Sequence, residues 1–210
     1  MIITLCASHI SSIDDIIRLK EMIASHYNQQ YKTKLYISIS YQNNDLYNEI
    51  IKLNDAILHI RDKPTTQFMH YKLLVNELIN IHKKDHILFT DDDDILDPRR
   101  NLYYSKYLEH DIIKINSIKI FCDYIGFNKK HVLDNDPDEY VNLCIRFNIV
   151  HNILNSMDED ELNKWTFDCH FNNLISYNNV HYIKWNVGLY YYRKHFMKPT
   201  RYIYNTRPSP

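Results

Sequence analysis

Glycine constrains this chain more than any other residue, because Gly126 and Gly188 are the only two in 210 residues. A loop that wraps a phosphate brings its backbone against the ligand, and several consecutive positions must then lack a Cβ. The chain therefore holds no P-loop, no dinucleotide fingerprint and no kinase-type glycine-rich loop. Any phosphate it handles must be met by side chains or by a cation. At about 150 residues per domain the length predicts one domain with a self-sufficient core. Lys and Arg number 25 against 26 Asp and Glu, a net charge of -1, which excludes a nucleic-acid partner held by bulk charge.

Apolar patterning predicts an alternation of strands and helices through the first 90 residues. Ile2 to Ala7 is a strand, Ser11-Ser12 a helix cap, and Ile13, Ile16, Ile17 and Ile23 the apolar side of a helix. Leu35 to Ser40 alternates with period two, a helical stretch reaches about Asn54, and Ala56 to Ile60 is a third strand. From Thr66 the positions Phe68, Tyr71, Leu74, Val75, Leu78 and Ile81 keep helical spacing, and His86 to Thr90 is a buried strand. Such an order implies a mostly parallel, Rossmann-like α/β sheet with helices on both faces and a ligand site beyond the carboxyl ends of its strands. The second half is more mixed. It predicts a helix over Pro98 to Glu109, strands within Ile112 to Ile125, a loop over Leu133 to Asp138, one helix over Asp158 to Tyr177 and strands from Val180 to Arg193. Residues 198–210, with three prolines, are expected to form an extended arm.

The strand His86 to Thr90 runs straight into Asp91-Asp92-Asp93-Asp94. Acidic residues favour a helix start, but four exceed what capping needs. Packed together they repel unless a cation intervenes, and hard oxygen donors suit Mg²⁺ or Mn²⁺, ions that complete their shell with water and phosphate oxygens. A zinc centre is not expected, since His82 and His86 straddle a helix-to-strand junction and none of the four cysteines is paired as C-x-x-C. The scattered cysteines suit a reducing, cytoplasmic setting, and no stretch is long and apolar enough for a membrane span.

The acidic run resembles the D-x-D-D pattern that follows an apolar strand in nucleotide-sugar glycosyltransferases of the GT-A fold, the large family 2 type. Two further segments are similar to that family: Phe167-Asp168-Cys169-His170-Phe171 to its downstream D-x-x-F/L, and Tyr190-Tyr191-Tyr192-Arg193-Lys194-His195 to its closing Y-R-x-H. The chain looks nearest to compact glycosyltransferase domains of large DNA viruses, in keeping with an AT-rich composition in which about one residue in seven is isoleucine. The resemblance implies a single GT-A-type domain over 1–197, with a nucleotide-binding half at 1–97 and a mixed α/β acceptor half at 98–197. It implies metal-dependent transfer, of the inverting kind, from a nucleoside-diphosphate sugar to a glycan or other hydroxyl acceptor. Asp93 would ligate Mn²⁺ or Mg²⁺, with Asp91 beside it toward the ribose or a metal-bound water and Asp92 facing the nucleotide; a slip of one residue would exchange these for Asp92 and Asp94. His195 is a candidate third ligand and Arg193 a candidate diphosphate contact. Asp168, flanked by Trp165, Phe167 and Phe171, is the candidate base for the acceptor hydroxyl, with Asp160 the alternative. Ser8, Arg61 and Gln67 stand where they could meet the nucleotide sugar. The family's N-x-G-x-x-x-A-R-N segment is replaced by Arg61 to Phe68, and its D-G-S by Ser40 to Asn43.

Two other functions fit parts of the pattern. A Mg²⁺-dependent phosphohydrolase would use Asp91 as nucleophile and Asp93 as acid and base, but that class places D-x-D after its first strand. A non-catalytic carbohydrate-binding module would explain the aromatic C-terminal half.

Overall fold

The computed structural model describes residues 1–116, 119–122, 129–133, 140–164, 167–176, 179–184 and 189–193. In chain order the elements are β1 (Ile2–Ile10), α1 (Ile13–Tyr27), β2 (Lys34–Tyr41), α2 (Asn44–Ile50), β3 (Ile57–Arg61), α3 (Gln67–His82), β4 (His86–Asp91) and β5 (Ile95–Leu96). The second half adds α4 (Arg100–Tyr104), β6 (Ile112–Asn116), β7 (Lys119–Cys122), β8 (Lys129–Leu133), β9 (Leu143–Arg146), α5 (Phe147–Ser156), α6 (Glu159–Leu162), α7 (Phe167–Ser176), β10 (His181–Lys184) and β11 (Tyr190–Arg193). Short 3₁₀ turns cover Ser105–Tyr107 and Tyr140–Asn142.

Seven strands form the central sheet in the order β10-β6-β9-β4-β1-β2-β3, and β9 alone runs against the rest. Side chains of β1 alternate between two cores, which is why it reads as a continuous apolar run. Ile3, Leu5 and Ala7 pack with Ile87 and Phe89 of β4 against α3, α5 and α7. Cys6 and Ile10 face Ile16, Leu19, Met22 and Ile23 of α1, and Leu46 and Ile50 of α2. The fold is thus a single α/β domain with a mostly parallel sheet covered on both faces, as the alternation predicts. A second sheet, β5-β11-β7-β8, stands beside the acidic loop.

Two expectations for the second half are corrected. The helix expected over Pro98 to Glu109 is only α4 plus a 3₁₀ turn, where the Ser105 hydroxyl donates to the Leu102 carbonyl. The helix expected over Asp158 to Tyr177 is two, because the chain turns after α6, with the Lys164 amide donating to the Glu161 carbonyl and the Phe167 amide to the Lys164 carbonyl. Between them and β9 lies α5, whose Phe147, Val150 and Leu154 are buried at helical spacing. The 198–210 arm and the loop from Asp134 to Asp138 lie outside the described residues.

Candidate functional site

Strand order reverses between β1 and β4, since the chain goes outward from β1 to β2 and β3 and returns to β4 on the other side. The carboxyl ends of β1 and β4 therefore splay apart into the crevice where such sheets bind ligands. Asp91 closes β4 opposite Ala7 of β1, and the acidic turn follows it.

Asp91 is 8 % exposed, and its Oδ1 accepts from Gln67 Nε2 at 2.7 Å and from the Tyr140 hydroxyl. Gln67 Nε2 also lies 2.7 Å from the Tyr140 oxygen, so the three close a ring of hydrogen bonds. Gln67 opens α3, whose cap residue Thr66 does not cap but donates its hydroxyl to Asn163 Oδ1 at 2.7 Å. On the other face, the Ser8 hydroxyl donates to Asp92 Oδ2 at 2.6 Å. Burial and the neighbouring Asp93 charge push the Asp92 carboxyl up to about 8, well above the ordinary carboxylate range. Asp94 is fully buried.

The turn is riveted from below. The Leu96 amide donates to Ser25 Oγ at 3.2 Å, and Gln29 joins the Asp97 carbonyl through Nε2 at 2.7 Å and the Asn101 amide through Oε1 at 3.0 Å. Arg100, 1 % exposed, donates to the carbonyls of Phe89 at 2.8 Å and Val141 at 2.6 Å. Antiparallel pairing of Tyr190 with Leu96 and Tyr191 with Ile95 carries β11 past β5 toward the acidic turn. Arg193 ends that strand, and His195 lies outside the described residues.

Gln67, Ser8, Asp91 and Asp92 are thus brought into one cluster, with Asp93 in the same turn. Asp168 stands in the first turn of α7, half-buried, where its Oδ1 accepts from the Cys169 amide at 2.8 Å. It is joined to the cluster through aromatic rings: Phe167 packs edge-on against Phe68 at 4.8 Å, and Phe68 against Tyr140 at 5.4 Å. Asp160 is exposed in the first turn of α6, behind the Asp158 cap. Arg61 is turned elsewhere, with its guanidinium forked onto Glu77 at 2.6 and 3.2 Å and its Nε donating to Ser38 Oγ at 2.9 Å. Tyr140 carries no signal in the sequence, because only the tertiary fold brings it 49 positions back to Asp91. His82 and His86 diverge as expected, the first onto Tyr36 and Asp85 and the second onto the His110 carbonyl. Among the described residues no three His, Cys, Asp or Glu side chains converge as a metal site. A cavity of about 460 Å³, lined by His110, Asp111 and His181, lies at the opposite, amino edge of β6 and β10.

No family model matches the sequence, and no curated protein matches it. Solved structures do. TarS of S. aureus in complex with UDP-GlcNAc superposes with a TM-score of 0.64 at 14 % identity over 97 % of this chain, which spans 62 % of that one. A 4-diphosphocytidyl-2C-methyl-D-erythritol synthase gives 0.55 at 7 % identity, covering 88 % of this chain and 89 % of the other. HddC from Yersinia pseudotuberculosis gives 0.53 at 12 % identity, with 89 % and 91 % covered. At these identities the likeness speaks of architecture alone, and that architecture is the GT-A type.

Proposed function

We propose that this chain transfers a sugar from a nucleoside-diphosphate sugar to an acceptor hydroxyl. The observation that carries the reading is the acidic turn seated in the β1–β4 crevice, with Asp91 locked by Gln67 and Tyr140. The likeness to TarS with its UDP-GlcNAc supports the donor class. The carboxylates suit a divalent metal, because burial and, after it, the Asp93 charge both disfavour the ionised Asp92 carboxyl, a cost a cation would relieve, and oxygen donors are what Mg²⁺ and Mn²⁺ take. Asp91 and Asp93 would hold that ion, with His195 as the third ligand, and Arg193 would face the diphosphate. The metal would supply Lewis-acid relief of the charge left on the departing diphosphate.

The rest of the chemistry falls to the chain itself. As the acceptor oxygen bonds to the anomeric carbon and the carbon–oxygen bond to the diphosphate breaks, the hydroxyl proton passes to the Asp168 carboxylate; the products are glycoside and nucleoside diphosphate. Attack from the face opposite the leaving group inverts the anomeric centre. The test is hydrolysis of a panel of nucleotide sugars with Mn²⁺ or Mg²⁺, since slow transfer to water needs no knowledge of the acceptor. Release of nucleoside diphosphate only with metal present is expected; no release or metal-dependent binding across the panel would overturn the reading.

The end-to-end match to a synthase named for a diphosphocytidyl product favours one other reading, nucleotidyl transfer from a nucleoside triphosphate. That reaction releases pyrophosphate and not nucleoside diphosphate, so the identity of the leaving group separates the two.

A further inference from the structure

Three side chains meet at the end of β4. An ionised carboxylate only accepts, so the Tyr140 hydroxyl gives its hydrogen to Asp91 Oδ1 and takes one from Gln67 Nε2, which also donates to that oxygen. Each carboxylate oxygen offers about two lone-pair sites, and on Oδ1 the protein fills both. At most one oxygen of Asp91 is therefore left to a cation.

Tyr140 is held so that it cannot swing away. Its ring is buried and meets Phe68, Phe89 and Tyr71 edge-on, with centroids at 5.4, 5.7 and 6.1 Å. The backbone beyond it is gripped from α4, where Arg100 donates to the Val141 carbonyl at 2.6 Å and the Tyr104 hydroxyl donates to the Asn142 carbonyl at 2.8 Å. The same nitrogen of Arg100 reaches the Phe89 carbonyl at 2.8 Å, two residues before Asp91. A buried guanidinium thus ties the strand that carries the carboxylate to the turn that carries the hydroxyl.

Resting on the proposed function, we propose that Tyr140 is a positioning residue that turns the Asp91 carboxylate to offer a divalent ion a single oxygen, and thereby makes the site select Mg²⁺ and Mn²⁺ against Ca²⁺. The larger Ca²⁺ takes about six to eight oxygens and often both of one carboxylate, whereas the smaller ions accept one and complete an octahedron with water and phosphate. Arg100 and Tyr104 serve the same end by fixing the turn.

Binding of the metal itself tests this. Mn²⁺ on the protein is read from the loss of the free-ion electron paramagnetic resonance signal, and Mg²⁺ or Ca²⁺ is then added to displace it. Mg²⁺ is expected to displace Mn²⁺ at lower concentration than Ca²⁺ does, and equal displacement by the two would overturn the proposal. Tyr140→Phe keeps the ring and loses the hydroxyl. Its Mn²⁺ affinity should fall about 10- to 100-fold, as when other hydrogen-bond partners of a metal ligand are removed, while Ca²⁺ loses less and the preference narrows. A folded Tyr140→Phe with lowered stability but the parent's affinity and preference would mean that the residue serves packing alone. Gln67→Leu, at an exposed position opening α3, removes the other donor to Oδ1 and should narrow the preference likewise. An unchanged preference there would overturn the proposal even if the tyrosine variant does not fold. No binding of Mn²⁺, with or without uridine diphosphate, would instead defeat the metal-dependent reading of the site and this role of Tyr140 with it.

Discussion

Among four successive carboxylates, the one whose removal costs the fold least is one that repels its neighbours. Asp93 raises the Asp92 carboxyl, so Asp93→Ala should leave the metal-free protein as stable as the parent or more so. The same variant should lose metal-dependent nucleotide binding, and calorimetry with Mn²⁺ that finds parental affinity would remove Asp93 from the metal. Asp168 answers to a different measurement. Asp168→Asn keeps the shape and the acceptor for the Cys169 amide but removes the proton acceptor, so donor affinity should hold while kcat falls by about 10²- to 10⁴-fold. Asp160→Asn, at an exposed helix start, should stay within about threefold of the parent in the same assay. If the two variants exchange these outcomes, the base is Asp160.

Phe68 shows how elements hold the site together. Its ring meets Tyr71, Tyr140, Phe167 and Phe171 with centroids between 4.8 and 5.7 Å, and so wedges α3, α7 and the turn before β9 into one block beneath Asp91. Phe68→Ala should cost about 3–5 kcal/mol in denaturant unfolding, and Phe68→Leu, which refills most of the volume, much less. A loss under 1 kcal/mol for the alanine variant would mean that the block does not depend on this ring. Phe68 itself was legible in the sequence, because helical spacing from Thr66 marks it as apolar, and so were β1 to β4 and the acidic turn, whose order follows from local periodicity alone. The Ser12 cap was legible too, with Asp15 three residues on accepting from both the Ser12 amide and hydroxyl. What stayed hidden depends on partners distant in the chain. Tyr140 belongs to the site through a bond spanning 49 positions, and Arg61 turns away from it because Glu77, one helix later, offers a better fork. The break between α6 and α7 was invisible for the opposite reason, since an amphipathic pattern on either side of a turn can read as one helix.

Stability over the whole molecule should pass through a maximum set by the lowered histidines and the raised Asp92 carboxyl. Below about pH 6.5 the unfolded chain protonates histidines that the fold keeps neutral, His70 at about 3 and His26 at about 4, so unfolding takes up protons and stability falls as pH falls. Asp92 works in the opposite sense. Its folded value of about 8 lies above the ordinary 3.8 of an aspartate, so between those two the folded protein holds the extra proton and stability falls as pH rises. From pH 4 to 6.5 these histidines, joined by His9 and His86 that burial also lowers, outweigh the one carboxyl, and from 6.5 to 8 Asp92 is left to act. The metal-free protein is therefore expected to be most stable near pH 6.5, declining by about 1.4 kcal/mol per pH unit for each net proton on either side. Urea unfolding at closely spaced pH values in the presence of a chelator measures both limbs. Asp92→Asn, which cannot titrate, should flatten the alkaline limb and leave the acid limb steeper, whereas His70→Gln should reduce the acid slope by about 1.4 kcal/mol per unit and leave the alkaline limb alone. An alkaline limb that survives in Asp92→Asn would show that the carboxyl crowding in the crevice is relieved by something other than a proton on Asp92.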